Sequence, residues 1–299
     1  MEPTVFLPFA SSLLSFVFAL FLLDQWLERR RPYQLIWTLG MVWYGIAAGT
    51  EFLGGASGWS EPLYRAWYLT GAVWVAGWLG LGTMYLLAKT RFGYGAAIAV
   101  LLAGVFTFLT WRRYDYPDSG NWPYVYLLVA VVAAAAIGVV TYRQGRWAHV
   151  AGALIVVGSL VSIPMVLLAP LAAPGYSLDP ATGIPNGELF PGYVRLLTPF
   201  FNITGGFALV FGALYSTAVA VRRRDFTSRV PATILLAIGG FVPSLTGSLS
   251  RFGMTEAFFV GELLGVLFLF AGFLVSIEVF REFRVPFTKV VLYTRRGAA

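Results

Sequence analysis

A chain of 299 residues that is 58% apolar and only 12% charged stands far from a soluble domain, in which about 25% of residues are charged. With strongly positive mean hydropathy it reads as a membrane bundle with no room for a separate soluble domain. The absence of cysteine excludes disulfides, thiolate metal sites and thiol nucleophiles together, and the net charge of +7 has to be read from its distribution.

Nine apolar runs succeed one another, each close to the roughly 20 residues needed to cross a bilayer. The first covers 5–23 and leads into the basic turn Glu28, Arg29, Arg30, Arg31, Pro32. The second (34–51) and third (63–88) are dense in Trp and Tyr. The Gly- and Ser-rich loop from Glu51 to Glu61 joins them, so Glu51 is expected at a span end. The fourth (93–111) ends in a polar loop with Asp115, Asp118 and Asn121, the fifth (123–142) is rich in Ala and Val, and the sixth (148–171) contains Pro164. An outer loop at 172–191, with Pro174, Pro180, Pro185 and Pro191 after Pro170, is too proline-rich for a useful helix and is expected as an extended lid or turn cluster. The seventh (193–221), eighth (231–250, with Pro243 inside) and ninth (257–280) complete the bundle. Pro164 and Pro243 are expected to kink their helices.

Counting loops alternately places about 16 of the 21 Lys and Arg on one side, while most acidic residues fall on the other. This alternation favours nine spans with the N-terminus outside and the C-terminus inside. It accounts for the net charge as a topology signal, not nucleic-acid binding. The start Met1-Glu-Pro-Thr lacks the basic segment of a signal peptide. The fold class expected is therefore all-α, a polytopic transmembrane bundle over 1–280 in the cell membrane, followed by a basic cytoplasmic tail at 281–299. The tail alternates basic and apolar residues, which suits an anionic leaflet, a cytoplasmic partner or a simple solvated end. Arg29–Arg31 and Arg222–Arg224 each come directly after a span, and a shift of about 193 residues superimposes the flanking segments. That echo suggests a 3+3+3 organisation of repeats, although basic inner loops recur in any polytopic protein.

Absences narrow the chemistry. His149 is the only histidine, so bis-histidine haem, zinc sites and Ser-His catalysis lack their parts. No phosphate-binding Gly-rich motif or Asp-rich magnesium motif occurs. Lys89 and Lys289 lie outside the span interiors, which excludes a retinal Schiff base. No catalytic residue, metal site or cofactor is assigned, and the balance leans away from an enzyme.

Polar groups instead gather in the outer half of the bundle. Glu262 lies about 8 Å inside the ninth span, where a bare carboxylate costs about 2 to 3 kcal/mol. Arg195, Asn202, Thr204 and Arg251 are its candidate partners, and Glu51 belongs to the same level. Ser244, Thr246, Ser248 and Ser250 come after Pro243 on the eighth span, as in a helix that lines a cavity. Glu51, Asn202, Ser244, Ser248 and Glu262 are therefore the candidate ligand-binding residues of an outward-facing polar pocket. The competing account is structural: Gly261 and Gly265 flank Glu262 as a close-packing pattern, and Ser or Thr can bond backbone carbonyls. Trp59, Tyr64, Trp67, Tyr68, Trp111, Trp122 and Tyr124 are expected in interfacial belts. Trp74 and Trp78, four apart and mid-membrane, could meet a flat hydrophobic ligand or pack on a neighbouring helix. The function expected is binding or transport of a small or amphipathic molecule. The alternative is a membrane-embedded sensor or an accessory subunit of a larger complex. Membrane lipids, a hydrophobic small molecule and partner membrane subunits are the candidate partners.

Overall fold

The computed structural model describes residues 2–116, 118–172, 187–222, 229–249, 255–275, 282–284, 286–288 and 291–294. The side chains of Arg229, residues 244–249 and 255–256, and the two short strands are excepted. Nine long helices occur among these residues: α1 (Pro3–Arg29), α2 (Pro32–Ser57), α3 (Glu61–Leu86), α4 (Gly93–Tyr114), α5 (Trp122–Tyr142), α6 (Trp147–Leu167), α7 (Gly192–Arg222), α8 (Arg229–Leu249) and α9 (Thr255–Val275). Seven of the described helices are long and apolar enough to cross a membrane, among them α1, α3 to α7 and the Ala257–Val275 part of α9. After the bundle, β1 (Glu282–Arg284) pairs antiparallel with β2 (Val291–Thr294). Most of the 172–191 loop lies outside the described residues, and its described end carries a single helical turn at Gly187–Leu189.

The helix faces invert the pattern of a water-soluble bundle. On α5 the buried positions are Tyr126, Ala130, Ala134, Ile137 and Thr141, spaced three or four apart along one face. Mid-helix, where Ala130 and Ala134 face in, the larger Leu128 and Val132 point outward at 63% and 59% exposure. Small residues inside and bulky apolar ones outside suit lipid, where close backbone approach, not water exclusion, drives helix association.

Consecutive helices alternate in direction, and their contacts form two closed circuits that share one wall. α1, α2, α3, α7, α8 and α9 pack in cyclic order, with α9 returning to α1. α3, α7, α4, α5 and α6 form the second circuit. The first encloses Phe18, Leu22, Trp37, Met41, Leu79, Leu209, Val266, Leu269 and Phe273. The second encloses a separate cluster that includes Val73, Met84, Val100, Ile137, Ile155 and Phe201. The shared α3/α7 wall is built backbone to backbone. A Cβ at Gly80 would fall on the Gly205 backbone, and one at Gly205 on the Ala76 carbonyl.

Between Tyr68 and Trp74 α3 widens into a π-helical segment, in which the Val75 N–H reaches back five residues to Thr70 O. At the end of the bundle near the α2/α3 connection, Arg65 donates to Val166 O and, at 2.9 Å, to Ala169 O. It also pairs with Glu61. Its guanidinium thus caps the last carbonyls of α6, where positive charge is favoured. Arg65→Ala should lower stability by about 3 kcal/mol, read as earlier thermal loss of the monodisperse species in detergent.

Candidate functional site

α2 does not stop at Glu51, as the Gly-rich sequence suggested, but continues to Ser57. Gly54 leaves room for the Trp59 ring, and Gly55 lets the start of α1 lie against the helix. Glu51 is therefore enclosed within α2, at 3% exposure, two turns before its end. There its carboxyl faces that of Glu262 of α9.

The surroundings fix both groups. Trp67 Nε1 of α3 donates to Glu51 Oε1 at 2.9 Å, and the Tyr44 hydroxyl donates to the Glu262 main-chain carbonyl at 2.9 Å. The Trp67 ring stacks on Tyr64, with centroids 5.8 Å apart, and meets Trp59 edge-on. Phe190 in turn stacks on Tyr64 and packs on Tyr68. This aromatic cap holds the indole N–H toward Glu51. Glu51 Oε2 and Glu262 Oε2 are both buried, and no group among the described residues donates to them. A hydrogen bond between two carboxyls forms only when one of them carries a proton; without it two negative charges face one another in a dry setting. The pair can therefore hold and release a proton, or exchange it for a small cation. No cluster of three or more potential metal ligands occurs among the described residues.

The other sequence candidates are dispersed. Asn202 is half-buried on α7, seven residues before Leu209 and so on the face turned toward the first circuit. The side chains of Ser244 and Ser248 lie outside the described residues, although both positions belong to α8. Trp74 and Trp78 are not at the carboxyl pair: their indoles donate to Ser162 at 2.9 Å and Ser159 at 3.2 Å, fastening α3 to α6. Arg195, expected as a partner for Glu262, instead lies 4.0 Å over the Tyr116 ring, and Arg251 lies outside the described residues.

Sequence reasoning missed Trp67 and Tyr44. Tyr64, Trp67 and Tyr68 were expected at an interfacial belt, but all three are core residues. Trp122 and Tyr124, by contrast, are exposed. Tyr44 could have been found from its spacing, since it precedes Glu51 by seven residues and so shares its face. A crevice in the first circuit lies among Phe18, Leu22, Trp37, Met41, Leu79, Leu209, Leu236, Leu269 and Phe273 and is wholly apolar. Comparison with known protein families, with curated proteins and with solved structures found no match to this chain.

Proposed function

We propose that this multi-pass membrane protein binds or transports a small or amphipathic molecule in linkage with the proton shared by Glu51 and Glu262. The observation that carries the reading is the pair itself. Two carboxyls on different helices, with one oxygen of each lacking a donor among the described residues, are a costly way to hold α2 against α9 and a direct way to make that contact depend on a proton. In this reading α2 and α8 join the seven apolar helices as crossings of the cell membrane. The basic loops lie inside and the N-terminus outside, as the Lys and Arg distribution favours. Loss of the shared proton would push α2 and α9 apart and open the end of the first circuit to the ligand.

The second reading is a membrane-embedded sensor or accessory subunit without transport, and the narrow, apolar character of the crevice favours it. One variant separates the two. Infrared difference spectra of the wild-type protein should contain the C=O band of a protonated carboxyl, and Glu262→Gln should remove it. Uptake or retention of co-purifying small molecules, measured by native mass spectrometry from the membrane at acidic and neutral pH, should lose its pH dependence in the same variant. Retained pH dependence would remove the pair from the site. A stoichiometric membrane partner in mild detergent, with no bound small molecule, would favour the accessory role.

A further inference from the structure

Seven residues fall just short of two helical turns, so positions seven apart share a face. On α1 that spacing links Ser11, Phe18 and Gln25, with Ser15 and Leu22 beside them. On α2 it links Trp37, Tyr44 and Glu51, with Gln34 and Met41 beside them; on α9 it links Glu262 to Leu269. Phe18, Leu22, Trp37, Met41 and Leu269 line the crevice of the first circuit, so the inner wall reads polar, apolar, polar from one end of the bundle to the other.

The polar ends hold six of the ten buried side-chain atoms without a partner among the described residues, the others being on Trp43, Trp59, Thr107 and Thr204. Ser11 Oγ, Glu51 Oε2 and Glu262 Oε2 at one end, and Gln25 Oε1 with both Gln34 amide atoms at the other, are buried and lack protein partners among the described residues. Gln34 is fully buried, and an unpaired buried group costs about 1 to 3 kcal/mol. By their spacing these residues share the faces of α1, α2 and α9 that line the crevice. At the Gln25 end, the main-chain N–H of Phe287, in the turn between β1 and β2, donates to Asp24 Oδ1 at 3.0 Å. This turn thus lies against that end of the bundle.

We infer that the first circuit is a gated proton path, running from the Glu51–Glu262 pair past the apolar crevice to Gln34 and Gln25. Hydrophobic constrictions of this kind close by excluding water. When water enters, the proton held between the two carboxyls passes to it, travels along the water chain oriented by the Gln34 and Gln25 amides, and leaves beside the tail turn. A proton from the opposite face then restores the pair. One proton crosses, and no other bond changes. Among the described residues, Tyr44 is the other titratable group facing the pair.

The inference rests on the pair holding a proton, and the infrared band tests that premise by itself. The conduit is tested with the purified full chain in phosphatidylcholine and phosphatidylglycerol vesicles, under a valinomycin-imposed potential, with a trapped pH dye. Met41→Ala and, independently, Leu209→Ala widen the crevice, and each should acidify the lumen about tenfold faster than wild type. Adding Glu262→Gln to either should return the rate to the wild-type value. Monodisperse widened variants that conduct no faster than wild type would overturn the conduit while leaving a positive infrared result intact. So would a fast leak that survives Glu262→Gln.

Discussion

Gly205→Ala should cost about 3 kcal/mol, at the upper end of overpacking penalties, whereas Gly206→Ala, one residue along, should stabilise the protein by up to about 1 kcal/mol. The contrast arises from the α3/α7 wall. A Cβ at 205 would strike the Ala76 carbonyl and the Gly77 amide, which are backbone and cannot turn aside, while a Cβ at 206 meets nothing within 4 Å. Both circuits use this wall, so the loss at 205 should appear as a drop in monodisperse protein and in melting temperature together. Equal tolerance at the two positions would mean that the helices cross elsewhere.

Removing one carboxyl of the pair is the second large effect. Glu51→Ala strands the Trp67 N–H and leaves Glu262 without its partner, so a loss of about 3 kcal/mol is expected. Glu262→Ala should cost a similar amount. Replacing both with leucine removes the polar groups together and should recover most of the loss, because an apolar pair needs neither proton nor donor. A double-mutant cycle on thermal or SDS unfolding would therefore show strong non-additivity. Two losses that simply add would mean that the carboxyls do not meet. The double leucine protein should fold and yet lack every pH-linked property.

The helical plan was largely legible because lipid imposes simple rules on helices: apolar runs near 20 residues, with small residues on inward faces. The nine apolar runs correspond to nine long helices, seven of which satisfy length and apolarity by themselves. The end of α2 was misplaced because Gly54, Gly55 and Gly58 read as a loop; only the tertiary contacts of Trp59 and of the α1 start reveal the first two as seats for neighbours. Glu51 and Glu262 could each be singled out by the expense of a carboxylate in an apolar run. Their direct meeting could not, since 211 positions separate them and Glu262 had nearer candidate partners in Arg195, Asn202, Thr204 and Arg251. Trp67 was hidden for a related reason: a tryptophan near a span end suits a belt equally well, and only its packing among Trp59, Tyr64 and Tyr68 and its bond to Glu51 show that it faces inward.

The widened stretch of α3 lies between two anchorages. Before it come Arg65 on the α6 carbonyls and Trp67 on Glu51; at its end and beyond it Trp74 and Trp78 are fixed to α6 by Ser162 and Ser159. A π turn holds one residue more than an α turn, and letting that residue slip through turns the leading part of the helix by about 100° and slides it by about 1.5 Å. A screw step of that size would break the Trp67 bond to Glu51 and leave those of Trp74 and Trp78 in place. α3 is thus pinned on both sides of its widened stretch, to α6 and α2 before it and to α6 again after it.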